Sequence, residues 1–170
     1  MTTRLADRKL KTKFGEFLEV LYSDGERESI ALVVGDLQGC AEVLCRIHSS
    51  CISGHVFNSI ECECSEEMAA AQDAIQKAGL GLIIFLDQEG KGNGHLALMK
   101  SIPYKLSGSS QDDAYVKAGY ASDARTYDEV PGILQGLGVK SITLLTDNWE
   151  KAKGLTALGV TVSGTRTISK

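Results

Sequence analysis

Three cysteines spaced C-x10-C-x-C, at Cys51, Cys62 and Cys64, constrain this chain more than any other feature. Two thiols two positions apart grip one ion from a tight turn or a strand end, and Cys51 closes on them across a loop of ten residues. Zinc suits three thiolates. Three protein ligands leave a fourth position open for an activated water, which is a catalytic arrangement. A structural site takes a fourth protein ligand instead, and His48 and His55 lie near enough in sequence to supply it. Spacing alone leaves that choice open.

At 170 residues the chain is read as a single domain, 1–170, with a full core. A net charge of −4 argues against general nucleic-acid binding while leaving room for a local basic pocket. No apolar run approaches the roughly 20 residues that span a bilayer. The first eleven residues, M-T-T-R-L-A-D-R-K-L-K, lack the apolar core of a signal peptide. A cytoplasmic protein is expected, with its five cysteines reduced. Cys40 and Cys45, outside the spaced set, read as small buried residues.

Residues 1–12 are polar and basic, a loose arm or a first edge strand. Phe14–Tyr22 alternates as a strand, Asp24-Gly25 turns the chain, and Ser29–Val34 returns. Ala41–His48 alternates again, which puts Arg46 and His48 on one face and suggests a third antiparallel strand. Glu66–Lys77 has the marks of a helix, with Ser65 as its N-cap, acids in its first turn and Gly79 just beyond. Gly81–Leu86 is a buried strand running into the glycine-rich Asp87–Gly94. His95–Lys100 reads as a helix stopped by Pro103, 107–113 as a loop, and Ala114–Ala121 as a short helix. Helices from Tyr127 to Leu137 and from Trp149 to Leu158 flank a strand, Ser141–Leu145, and Val160–Val162 closes the chain. The class is α+β, antiparallel strands at the front and βα units behind.

Four blocks, in order, carry a resemblance. R-I-H-S-S-C-I-S-G-H-V-F-N-S-I-E-C-E-C-S, Arg46 to Ser65, resembles R-V-H-S-E-C-L-T-G-D-x-F-x-S-x-R-C-D-C-G of the GTP cyclohydrolase II family. D-Q-E-G-K-G-N-G-H from Asp87 resembles its R-Q-E-G-R-G-I-G-L. G-Y-A-S-D-A-R-T-Y from Gly119 is similar to G-F-x-A-D-x-R-D-Y, and L-L-T-D-N-W-E-K from Leu144 to L-L-T-N-N-P-x-K. The resemblance spans about residues 12 to 165. It implies a GTP cyclohydrolase II-like fold and a zinc enzyme, a homodimer, that opens the imidazole ring of GTP and releases formate and pyrophosphate. By that resemblance Cys51, Cys62 and Cys64 hold zinc, which activates the water attacking C8 of the purine. Asp123 is the proton acceptor and Arg125 attacks the α-phosphate. Arg46, His48, Ser49, Glu89, Gly90, Lys91, Thr146 and Lys151 fall on nucleotide-contact positions, and a triphosphate usually brings Mg2+.

The chain also departs from the pattern. Ser50 stands for a glutamate, His55 for an aspartate, Glu61 and Asp87 for arginines, and Lys91 for another. Asn93 and His95 replace apolar residues, and Asp147 and Trp149 replace Asn and Pro. Ser110 to Tyr115, S-Q-D-D-A-Y, stands where the family has D-T-V-E-A-N. The family's tyrosine beside the opening ring aligns with Ile102, or with Tyr104 if a gap is allowed. The substitutions gather at the pocket and leave the metal ligands intact, as in a divergent relative. Alongside GTP ring opening stand two alternatives: a relative that takes another heterocycle or stops at a formamidopyrimidine, and a zinc-stabilised nucleotide-binding module without turnover.

Overall fold

The computed structural model describes residues 1–169. One seven-stranded mixed sheet runs through it in the order β1-β2-β3-β5-β4-β6-β7. The strands are β1 (Thr3–Thr12), β2 (Gly15–Ser23), β3 (Glu28–Val34), β4 (Val43–Ser49), β5 (Gly81–Leu86), β6 (Ile142–Leu145) and β7 (Val162–Arg166). β1, β2, β3 and β5 pair antiparallel, and β5, β4, β6 and β7 pair parallel. The architecture is α+β.

Among the described residues six helices accompany the sheet: α1 (Ile52–His55), α2 (Cys64–Ala78), α3 (His95–Leu106), α4 (Gln111–Lys117), α5 (Glu129–Gly136) and α6 (Trp149–Ala157). Ala71 and Ile75 of α2 pack on Phe17, Leu44 and Ile83 on one sheet face. Val130 and Ile133 of α5 and Leu155 of α6 pack on Ile47, Ile84 and Leu144 on the other. Each fully buried Ile or Leu contributes about 1.5–3 kcal/mol relative to exposure. β4 is buried along its length because it lies between two parallel neighbours. Its alternation sends Cys45 and Ile47 into the α5–α6 cluster, and Arg46 and His48 to the α2 side.

Several sequence expectations are corrected. Of the two expectations for the first residues, the edge strand holds and the loose arm does not: Thr3–Thr12 pairs with β2 through nine residue partners. β4 joins no antiparallel run after β3, because β5 enters between them and pairs parallel with β4. Ser65 is not the N-cap of α2; the helix starts at Cys64 after Glu63, and no side chain caps it. α3 passes through Pro103 to Leu106. The carbonyl that loses its partner there belongs to Met99, an exposed residue that water can serve. α4 begins at Gln111 rather than Ala114, because the Ser110 hydroxyl accepts the Asp113 N–H at 3.1 Å and caps it. β7 lies later than expected, at Val162–Arg166, and α1 was not anticipated.

Candidate active site

The carboxyl ends of β4 and β5 open onto a cavity of about 430 Å³. Parallel strands end there and their following loops diverge, the usual place for a site in an α/β sheet. Its wall carries Arg46, His48 and Ser49 from β4, then Cys51, and Cys62 and Cys64 at the start of α2. Glu89, Gly90 and Lys91 come from the loop after β5, with Arg125 and Lys151 from further along the chain.

The three thiols meet there. Their sulfurs all lie within 4.8 Å of one another, with Cys51 Sγ and Cys62 Sγ at 3.7 Å. Two sulfurs bound at about 2.3 Å to a tetrahedral zinc stand about 3.8 Å apart, so the spacing fits that ion. Gly54 of α1 makes the cradle possible: a Cβ on it would sit 2.8 Å from Cys62 Sγ and 3.4 Å from Cys51 Sγ. Burial pushes the Cys51 and Cys64 thiols up, and neighbouring thiols add to the rise. A cation must therefore displace their protons. Among the described residues only these three cysteines form such a group. His48 and His55 are engaged elsewhere: their Nε2 atoms lie 2.9 Å apart, and His55 Nδ1 accepts the Cys51 N–H at 3.3 Å. Burial, then the Arg46 charge, pushes His48 down to about 3, so it is neutral.

Arg46 is buried and donates to Glu67 at 2.6 Å and to the Leu145 carbonyl at 3.1 Å. Lys151 donates to the Ile47 carbonyl at 3.1 Å; burial first, then Arg46, lowers its ammonium to about 7. Ser49 Oγ is buried in the cavity wall with no hydrogen-bond partner among the described residues. Lys91 pairs with Asp112. Glu89 spends its carboxylate on the loop after Cys51, accepting from Ile52 N–H at 3.0 Å, with His95 Nδ1 3.3 Å away. Thr146 is buried at the turn into α6, where its hydroxyl accepts the Asn148 N–H, and it does not line the cavity. Tyr104 is also outside it, 39% exposed on α3.

Asp123 and Arg125 lie in the irregular segment before α5. Arg125 Nε donates to Asp123 Oδ1 at 2.9 Å, and Nη2 donates to Oδ2. Burial raises the Asp123 carboxyl, but the Arg125 contacts outweigh it and hold it below its ordinary value. The Asp123 hydrogen bond raises Arg125 in turn. The loop after β5 holds this segment along its length. Lys91 carbonyl accepts the Ala124 N–H at 2.8 Å, and Asn93 Nδ2 donates to Ala121 carbonyl at 2.9 Å. Gly92, at φ +82°, leaves no room for a side chain, since a Cβ would fall 2.6 Å from Ala124.

Asp87 does not face the cavity; it accepts from Ser50 Oγ at 3.0 Å, so the two departures at 50 and 87 answer each other. Sequence reading missed Gln88 and Tyr115. Gln88 is buried and binds the segment carrying Arg125. Tyr115 is 1% exposed in the cavity wall, and burial, then Glu89, pushes its phenol up to about 12. Gln88 lay inside a quoted motif, and Tyr115 inside a block marked only as a departure.

Comparison with known proteins agrees with this geometry. The GTP cyclohydrolase II family model matches residues 3–167. A protein named GTP cyclohydrolase-2 from Aeromonas hydrophila is 36% identical, over 95% of this chain and 83% of its own length. Another, from Shewanella loihica, is 34% identical over 93% and 78% respectively. The riboflavin biosynthesis protein RibBA of Bacillus cereus is 38% identical over 91% of this chain, which spans 40% of that longer protein. Among solved structures, RibBX of A. baumannii, a two-domain 3,4-dihydroxy-2-butanone 4-phosphate synthase, shares the fold with a TM-score of 0.52 at 15% identity, covering 99% of this chain and 40% of its own. The family match, the two relatives aligned over most of both chains and the cysteine-lined cavity place this chain in the GTP cyclohydrolase II family, as a hydrolase of that type.

Proposed function

We propose that this chain opens the imidazole ring of GTP by zinc-dependent hydrolysis, with release of formate and pyrophosphate, as a step toward riboflavin. The observation that carries the reading is the meeting of three thiols and the cations Arg46, Arg125 and Lys151 in one cavity. Cys51, Cys62 and Cys64 would hold the zinc, and a zinc ion in such a site activates water for attack on a ring carbon. Arg46 and Lys151 bind phosphate oxygens, with Mg2+ accompanying the triphosphate. Ser49 offers a buried hydroxyl that a ligand would satisfy. Arg125 approaches the α-phosphate, and Asp123, already hydrogen-bonded to Nε, takes the proton the guanidinium gives up. A bond from Arg125 to the α-phosphorus forms as the bond to the bridging oxygen breaks and pyrophosphate leaves; water then cleaves the phosphorus–nitrogen bond, freeing Arg125 and the monophosphate. Glu89 positions the Cys51 loop. A homodimer in the cytoplasm belongs to this reading. Val56, Phe57 and Ile60 on the metal loop are exposed apolar side chains that a second copy would cover, and no helix of the described residues is long and apolar enough to cross a membrane.

One observation favours a second reading, a purine nucleotide with fewer phosphates. Arg46, Lys91 and Arg125 each already hold an acid, Glu67, Asp112 and Asp123. A mass spectrum of the zinc-loaded protein with GTP and magnesium decides between them. A diaminopyrimidine monophosphate with formate and pyrophosphate supports the first. Intact GTP beside a ring-opened GMP supports the second. Intact nucleotides throughout, unchanged by Asp123→Asn, leave a binding module and defeat both.

A further inference from the structure

Tyr115 is a fully buried tyrosine for which the fold gives the hydroxyl no use. It sits in α4 with 1% of its surface exposed, and its ring lines the cavity that holds the three cysteines. Among the described residues its hydroxyl has no hydrogen-bond partner, yet it is not sealed among the buried polar atoms that lack one. It therefore opens on the cavity. Glu89 and Cys51 are the foremost neighbouring charges bearing on it, followed by Arg125 and Asp123.

A hydroxyl that bonds no protein group adds nothing to the packing of the ring, and a phenylalanine would fill the same space. Packing thus explains the ring of Tyr115 and leaves its oxygen unexplained. A ligand seated against the thiols explains it. We infer that the Tyr115 hydroxyl is a substrate contact, donating a hydrogen bond to an oxygen or nitrogen acceptor of the heterocycle held against Cys51, Cys62 and Cys64. The inference rests on the proposed purine ring opening. Tyr104 and Ile102, the positions to which the family's tyrosine aligns, do not line this cavity. Tyr115 reaches it from the next helix.

The test is Tyr115→Phe in the full, zinc-loaded chain, with GTP and magnesium as the probe. The expected result is unchanged zinc content, an unchanged melting temperature, and a kcat lowered ten- to a thousand-fold with KM raised no more than tenfold. A kcat within twofold of the parent overturns the inference. So does a loss of activity that comes with lost zinc or a lower melting temperature, since that marks a structural role. If the parent protein leaves GTP intact, calorimetric affinity for GTP takes the place of kcat. Three- to tenfold weaker binding by the variant then sustains the contact while ring opening falls. Equal affinity, or no binding by either protein, overturns the contact as well.

Discussion

The carboxamide of Gln88 closes two hydrogen bonds on the backbone of Thr126: Nε2 donates to the carbonyl at 2.8 Å, and Oε1 accepts the N–H at 2.7 Å. Gln88 N–H in turn donates to Ser50 Oγ at 2.9 Å, next to Cys51. One buried side chain thus links the end of β4, the loop after β5 and the segment that presents Asp123 and Arg125. That segment has no regular secondary structure, so side-chain anchors fix where the guanidinium sits.

Replacing Gln88 with Glu removes the donor and sets a carboxylate against the Thr126 carbonyl. Losing a hydrogen bond to this part-buried carbonyl costs about 0.5–1.5 kcal/mol. A loss of that size is expected in denaturant unfolding, together with a kcat at least tenfold lower and a smaller change in KM. Gln88→Leu, which also removes the acceptor of the Thr126 N–H, is expected to show faster hydrogen exchange at that amide. An unchanged exchange rate there would show that the clamp does not hold the segment.

Gly54→Ala addresses the metal cradle. The added carbon would meet Cys62 Sγ at 2.8 Å and Cys64 Cβ at 3.2 Å, so a sulfur must move out of place. Zinc per chain after dialysis is expected to fall well below one, with affinity at least tenfold weaker, while the sheet remains folded by circular dichroism. Full zinc retention would show that the cysteines are not held by this contact.

Ser50 and Asp87 touch each other, and the family places a glutamate and an arginine at the same two positions. If the positions form a pair, Ser50→Glu and Asp87→Arg are each neutral to harmful alone and better together. The double variant is expected to exceed the sum of the singles by about 0.2–1 kcal/mol, the range of a partly exposed ion pair. Unfolding of all four proteins closes the cycle, and simple additivity would separate the two sites.

The parts legible in sequence were local. The cysteine spacing needed only thirteen intervening peptide bonds, and Gly79 marks the end of α2 with a left-handed φ of 69°. Strand β1 was legible only as one of two options because its side chains are exposed on both faces, which erases the period of two; cross-strand partners such as Arg8 and Glu19 define it instead. β4 alternated convincingly but its neighbours, β5 and β6, lie far along the chain, so its parallel pairing could not be read from it. Tyr115 looked like any apolar helix residue. Its position in the wall depends on α4 packing beside α3 and on a loop from β5, contacts that no spacing rule records.

Lys151 provides a pH signature. Its ammonium is buried beside Arg46, and its folded value of about 7 lies below the ordinary 10.5. Below pH 7 both the folded and unfolded chains carry the proton, and the cost of burying it is constant. Between about 7 and 10.5 the unfolded chain keeps the proton that the folded chain has lost, so rising pH favours folding. The slope approaches 1.4 kcal/mol per pH unit for one proton. Lys151→Met removes that contribution with little change in volume. The difference in unfolding free energy, parent minus variant, is therefore expected to climb between pH 7 and pH 10. Subtraction cancels the thiols that titrate over the same range. Curves that stay parallel would mean that Lys151 keeps its charge in the folded protein, with Glu67 and Asp123 outweighing its burial. Bound GTP should flatten the climb, because phosphate beside Lys151 raises its value back toward that of the unfolded chain.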